Sequence, residues 1–168
     1  VAEKRAFIVI GPESSGTKFL TKLFLKSGCE GDPWHEQRLD HHDPDTDLIV
    51  LRRSYPYGDE WPDLNAIVER FANLGYDVRV IIIIRSMQFT LASRQQHGRQ
   101  TPERAMTNAI RALQMIGQQW AESGVDGIWI TYEALVAHSQ HTIHWLMHWC
   151  DLPIPTGVKI KDGNAKYV

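Results

Sequence analysis

The run Gly11-Pro-Glu-Ser-Ser-Gly16-Thr17-Lys18 gathers two glycines, the hydroxyls of Ser14, Ser15 and Thr17, and a lysine. It follows the apolar stretch Ala6 to Ile10 and precedes Phe19, Leu20, Leu23 and Phe24 at helical spacing. A passage from buried strand through a glycine turn into a helix aims backbone N–H groups and the helix N-terminus at one point, where an anion can sit. In the nucleoside-triphosphatase version of this loop, G-x-x-x-x-G-K-[ST], the lysine reaches the β- and γ-phosphates and the next hydroxyl ligates Mg²⁺. Here those positions hold Thr17 and Lys18. An ammonium has only donors and cannot ligate a metal ion, so the usual ligand is missing. Arg85, at the end of the run Val80 to Ile84, stands where a triphosphatase offers an aspartate. Both departures replace a metal ligand with fixed positive charge, and we expect anion binding without a metal.

Group transfer to an acceptor needs a residue that takes a proton near neutral pH, histidine first and a partly buried glutamate next. His35 and Glu36, in Asp32-Pro-Trp-His-Glu-Gln37, are the two candidates, against the plain reading of a solvated loop. Gly28 to Asp47 shows no clear element, and a structureless loop of about twenty residues in a small domain is more often functional than not. Within it, Asp40, His41, His42, Asp43 and Asp45 match no zinc or calcium spacing and read as a solvated acidic stretch. His138, His141, His144 and His148 fall near one face of the last helix and, lacking a third ligand, read as its solvent face. Trp145 and Trp149 read as packing against the sheet. Of the adjacent Arg52 and Arg53, one should point into a cleft and the other away.

These groups are positioned by an alternation of strands and helices. Ala6–Ile10, Asp47–Leu51, Val78–Ile84 and Gly127–Thr131 read as buried strands. Helical patterns lie between them: one stops at Ser27-Gly28, one runs from Leu64 to Leu74 before Gly75, and one starts at Thr101-Pro102-Glu103 and continues to about Ser123. A last helix, with Ile143, Leu146, Met147 and Cys150 inward, ends before Leu152-Pro153. The pattern predicts an α/β, three-layer fold with a mostly parallel central sheet of four to five strands flanked by helices. In such sheets the ligand lies beyond the carboxyl ends of the strands, in the loops after Ile10, Leu51, Ile84 and Thr131. The 168 residues, 43% hydrophobic, fit one domain over 1–168 that must hold both donor and acceptor. A net charge of −2 offers no general attraction to nucleic acid or an anionic membrane. No apolar run approaches the ~20 residues of a membrane span, so a cytoplasmic protein is the expectation, with Cys29 and Cys150 as free packed thiols.

Three motifs in order resemble the sulfotransferase family. Pro12 with Ser15-Gly16-Thr17 is similar to its P-x-S-G-T phosphosulfate loop. Arg85 at a strand end, with Ser93 eight residues on, is similar to the pair that holds the 3′-phosphate. Ile130-Thr-Tyr-Glu-Ala-Leu135 resembles its Tyr-Glu-x-Leu segment after strand four. The resemblance spans about Phe7 to Pro153 and implies a P-loop fold that takes 3′-phosphoadenosine-5′-phosphosulfate as donor, needs no metal, and sulfates a small-molecule or carbohydrate acceptor. It implies a donor site of Ser14, Ser15, Gly16, Thr17, Lys18, Arg85 and Ser93, with Tyr132 beside the adenine. Two positions depart from the family pattern. Ser14 stands where a lysine usually assists the leaving sulfate, and Lys18 is the substitute we expect; Arg53-Ser-Tyr-Pro56 replaces the T-H-L-P-like segment that carries a histidine base. Carbohydrate-type members instead take a glutamate from the loop after helix one, the region of His35 and Glu36. The ending Asn164-Ala-Lys166-Tyr167 is similar to the N-x-K-Y close of several bacterial members. Two rival readings are an ATP- and Mg²⁺-dependent kinase on the same fold and a non-catalytic nucleotide-binding module.

Overall fold

The computed structural model describes residues 4–35, 46–96 and 100–167. Its strands β1 (Arg5–Pro12), β2 (Leu48–Tyr55), β3 (Asp77–Ile84) and β4 (Gly127–Thr131) form a four-stranded sheet in the order β2-β1-β3-β4, and every pairing is parallel. Strand alternation splits the apolar residues between two cores. Phe7 and Val9 of β1, with Ile81 and Ile83 of β3, face one side; Ala6, Ile8 and Ile10, with Val80 and Ile82, face the other. The first side is covered by α1 (Thr17–Lys26), α5 (Tyr132–Ala137) and α6 (Ser139–Cys150), and the second by α2 (Leu64–Asn73) and α4 (Pro102–Ser123). A further helix, α3 (Met87–Gln96), packs on α4. Helices on both faces explain why the strands are near-continuous Val and Ile rather than alternating with polar residues.

The helix boundaries follow local chemistry. Thr101 accepts a hydrogen bond from the Arg104 N–H at 3.3 Å with Pro102 next in line, and Asp63 does the same for Ala66 at 3.1 Å. Such caps contribute about 1 kcal/mol each. Gly75 and Gly124, at φ 84° and 64°, take the left-handed conformation that ends α2 and α4. Cys29 and Cys150 are free and buried in the first core, and burial pushes both thiols up to about 12.

The structure corrects the sequence reading in three places. β2 does not stop at Leu51 but runs on to Tyr55, so Arg52, Arg53 and Ser54 belong to a strand instead of a loop. The reason is tertiary: β1 continues through Pro12 and supplies the partners Gly11↔Ser54 and Pro12↔Tyr55, while the fully buried Tyr55 donates to Gln119 Oε1 at 3.0 Å. Tyr132 and Glu133 are likewise not in a loop. Thr131 caps the Ala134 N–H at 3.1 Å, so β4 passes directly into α5, and His138 separates α5 from α6. Trp145 does not pack on the sheet; it is 47% exposed, whereas Trp149 lies against the first core. His138, His141, His144 and His148 are all exposed.

The chain reverses its direction of travel around β1: it goes to β2 on one side through α1, then returns past β1 to β3 through α2 on the opposite face. The reversal opens a crevice beyond the carboxyl ends of β1 and β3. The loop 12–16 and Arg85 meet there.

Candidate active site

The loop after β1 is held by Ser15 N–H donating to Pro12 O at 3.0 Å and is bent at two residues of positive φ, Ser14 at 68° and Gly16 at 108°. Alternating hand around Ser15 turns neighbouring N–H groups to the same side, which makes an anion-binding concavity. Gly16 cannot be replaced freely, because a Cβ there would come within 2.9 Å of the Tyr132 ring and 3.2 Å of Ile83. Ser14 carries its left-handed backbone at a cost of ~1 kcal/mol, at the apex of the loop. α1 then begins with neither a capping side chain nor an acid in its first turn, unlike α4 with Glu103 and α5 with Glu133. Its positive end and first N–H groups therefore face the cleft with no carboxylate from their own turn. The Ser15 hydroxyl is buried and finds no hydrogen-bond partner among the described residues. A buried donor of this kind beside the anion loop fits an anionic ligand.

The loop forms one wall of a cleft of about 520 Å³. Lys18, Lys22, Arg52, Arg85, Arg94 and Lys166 line it, with Glu13 as the one lining carboxylate among the described residues. Glu13 is tied to Arg94, Oε2 to Nη2 at 2.6 Å, and both side chains are largely buried. At the inner end, Arg85 donates from Nε to Asn164 Oδ1 at 2.7 Å, from Nη1 to Ser14 O at 3.2 Å and from Nη2 to Gly163 O at 3.1 Å. Its guanidinium lies 5.0 Å from the Tyr132 ring and 5.6 Å from the Tyr167 ring. Three of the five guanidinium N–H groups are thus used, and the others remain for a ligand. Tyr167, Ser93 and Lys166 line the cleft beside Arg85.

This end is closed by the C-terminal segment. Tyr132 Oη accepts from Gly163 N–H at 2.9 Å and donates to Lys161 O at 3.2 Å. Glu133 Oε1 accepts from Asn164 Nδ2 at 3.2 Å and from Ser86 N–H at 3.0 Å.

At the mouth, Lys18 Nζ lies 2.8 Å from the centroid of the Trp34 ring and Lys22 Nζ 4.7 Å from it, while Arg52 Nη2 donates to Trp34 O at 3.5 Å. Burial, then the charges of Lys22 and Arg52, hold the Lys18 ammonium below its ordinary value. Trp34 is placed by Asp32, which accepts from the N–H groups of Trp34 at 2.7 Å and His35 at 3.1 Å and pairs with His35 Nδ1 at 2.8 Å. The Trp34 N–H, followed by the His35 ring, draws the Asp32 carboxyl down to about 2.

Of the residues expected from sequence, Ser14, Gly16, Thr17, Lys18, Arg85, Ser93 and Tyr132 line this single cleft, and Ser15 lies within its loop. Tyr132 bonds through its hydroxyl to the C-terminal segment, and its ring lies under Gly16. His35 is not part of the cleft wall; it stands beside Trp34 with its side chain 61% exposed. Glu36 lies outside the described residues, as do Asp40, His41, His42, Asp43 and Asp45. Arg52 lines the cleft while Arg53 turns away and donates to Arg52 O at 2.7 Å, as strand alternation requires. Glu13, Lys22, Trp34 and Arg94 were missed by sequence reasoning. Glu13 and Arg94 adjoin motif residues Ser14 and Ser93, but an ion pair between distant segments leaves no sequence signature.

No protein-family model matches the chain, and no curated protein matches it. Among solved structures, a sulfotransferase domain from the curacin biosynthetic pathway matches with a TM-score of 0.61 at 15% identity, over 91% of this chain and 76% of that one. Mouse sulfotransferase SULT7A1 complexed with PAP matches with a TM-score of 0.57 at 15% identity, over 99% of this chain and 63% of that one. The chain therefore spans less than two thirds of the mouse protein. The fold is that of sulfotransferases, in agreement with the three motifs.

Proposed function

We propose that the chain is a sulfotransferase that takes 3′-phosphoadenosine-5′-phosphosulfate as donor and sulfates a hydroxyl or amine on a small-molecule or carbohydrate acceptor, one unit over residues 1–168 holding both. The carrying observation is the cleft itself: a glycine-bent anion loop that Arg85 meets at Ser14, with Ser93 and further basic side chains lining the same cleft, on a sulfotransferase fold. The donor contributes a sulfuryl group already activated by its phosphate leaving group. The chain's own residues bind and orient it. Amides of the loop, the Ser15 hydroxyl and Thr17 receive the 5′-phosphosulfate, and the free N–H groups of Arg85 with Ser93 receive the 3′-phosphate. Tyr132 supports both subsites by backing Gly16 and holding the C-terminal segment over Arg85.

Lys18 takes the role usual for a lysine at position 14, placing its ammonium by the oxygen on which charge develops as the sulfuryl leaves. His35 is the acceptor-side base among the described residues. Asp32 engages its Nδ1, which leaves Nε2 to take the acceptor proton. Glu36 is the second candidate for that proton.

Calorimetry with 3′-phosphoadenosine-5′-phosphate against ADP-Mg²⁺ tests the reading. Tighter binding of the bisphosphate in the presence of EDTA is expected. A preference for ADP-Mg²⁺ would put the chain among kinases, and bisphosphate binding without turnover on any acceptor would make it a binding module.

A further inference from the structure

We infer that the acceptor carries an anionic group, a carboxylate, sulfate or phosphate, beside the position that is sulfated, and that Lys22 and Arg52 around Trp34 receive it. The inference rests on the donor reading above and adds the acceptor's chemical class.

Lys22 is the residue that the donor does not explain. It lies five positions beyond Thr17 on α1, about 7.5 Å along the axis at 1.5 Å per residue, and so stands well past the first-turn N–H groups that face the anion loop. Even so, it lines the cleft, with its ammonium 4.7 Å from the Trp34 ring centroid. Lys18 sits on the same indole and Arg52 on its carbonyl, so three cations converge on one exposed residue. Like charges one helical turn apart repel, and cations near a helix N-terminus oppose its dipole. A bound anion would offset that repulsion. Asp32, the carboxylate that places this turn, engages the backbone of Trp34 and His35 and the His35 ring. The 57% exposed indole offers an apolar face to the body of the same acceptor.

The test uses 4-nitrophenyl β-D-glucuronide and 4-nitrophenyl β-D-glucoside, which differ in a carboxylate against a hydroxymethyl. Binding to the full chain is measured by calorimetry, with and without saturating 3′-phosphoadenosine-5′-phosphate. We expect about tenfold tighter binding of the glucuronide, weakening as salt rises. Lys22→Met should abolish that preference, Lys22→Arg should keep it, and neither should change the affinity for the bisphosphate. Equal affinities of the two glycosides, including no binding of either, overturn the inference, as does a preference that survives Lys22→Met. A Lys22→Met variant that loses the bisphosphate assigns Lys22 to the donor and also overturns it. Failure of the donor reading shows separately, as absent bisphosphate binding in the unmodified chain, and the glycoside pair without nucleotide still decides the anion subsite.

Discussion

The two ends of the cleft are constructed in opposite ways. Around Arg85 the polar groups are tied into the protein: three hydrogen bonds fix the guanidinium, the rings of Phe89, Tyr132 and Tyr167 lie around it, and the Tyr132 and Glu133 side chains strap segment 161–164 over it. Around Trp34 a single exposed turn, held by Asp32, supports an indole on which cations gather. A network with most donors satisfied is rigid and matches one ligand of fixed shape. An exposed aromatic with converging positive charges matches a partner that brings negative charge. Under the proposed function, the inner end would hold the donor and the mouth would select the acceptor.

Lys18 stands where the two ends meet, and its replacement should have the largest effect. Lys18→Met keeps the apolar stem and helix propensity while removing the charge. Loss of one preorganised contact to developing charge typically costs ~10²–10³ in rate. We expect kcat to fall by that factor while the Kd for 3′-phosphoadenosine-5′-phosphate changes little. Near-normal turnover would mean that the ammonium serves Trp34 alone, and the leaving-group role would pass to Arg52.

Arg85→Ala should follow, as a loss of donor affinity. A charge-assisted hydrogen bond contributes about 1.5–3 kcal/mol, so binding of the bisphosphate should weaken roughly 10–100-fold by calorimetry. Arg85→Lys should not restore it, because a point charge cannot meet Asn164, Gly163 and a phosphate at once. Adenosine 5′-phosphosulfate should show the same deficit with the unmodified chain. Equal affinity for the two donors would remove the 3′-phosphate from this end of the cleft.

Tyr132→Phe probes the strap without touching the ring that backs Gly16. It deletes the bonds to Gly163 N–H and Lys161 O. At roughly 1 kcal/mol for each hydrogen bond, Tm should fall by several degrees. Donor affinity should drop a few-fold as the C-terminal segment loosens. An unchanged Tm in differential scanning would show that the segment is held by Asn164 and not by the tyrosine.

The same contrast governs how much was legible in the sequence. The strands and the loop could be read because their signals are local: Ala6–Ile10 and Val80–Ile84 are apolar runs, Gly16 sits at a tight turn, and Thr101-Pro102 is a cap. The spacing of Arg85 and Ser93 carried the inner end for the same reason. The true end of β2 could not be read, because Arg52, Arg53 and Ser54 are polar and become strand only through pairing with β1. The mouth was hidden for a similar reason. Trp34 gains its place from Lys18 and Lys22 on α1 and Arg52 on β2, and no spacing within any one segment announces their convergence. Tyr132 was found through its motif, but its bonds to residues 161 and 163 could not be read, because they depend on where the chain returns.

The smallest effect is expected at Asp32, and it is the one that separates the two ends most sharply. Asp32→Ala removes the acceptor for two backbone N–H groups and for His35 Nδ1, all in an exposed turn. Changes at such sites are usually within ±0.5 kcal/mol, so Tm should hardly move, in contrast to Tyr132→Phe. What stabilisation the carboxylate does give must depend on pH in a defined direction. Its folded value of about 2 lies below the ordinary 3.8, so the folded state binds its proton less readily than the unfolded state does. The contribution is therefore fully present above the ordinary value and fades as pH falls toward 2. Urea midpoints of the unmodified chain and Asp32→Ala should differ by a small constant amount from pH 7 to pH 5, draw together below pH 4 and converge toward pH 2. A gap that widens on acidification would show that another group holds the turn. Function should respond where stability does not: with Trp34 released, KM for an anionic acceptor should rise a few-fold while donor affinity stays the same. If donor affinity fell instead, the exposed turn would belong to the inner site and the division between the two ends would fail.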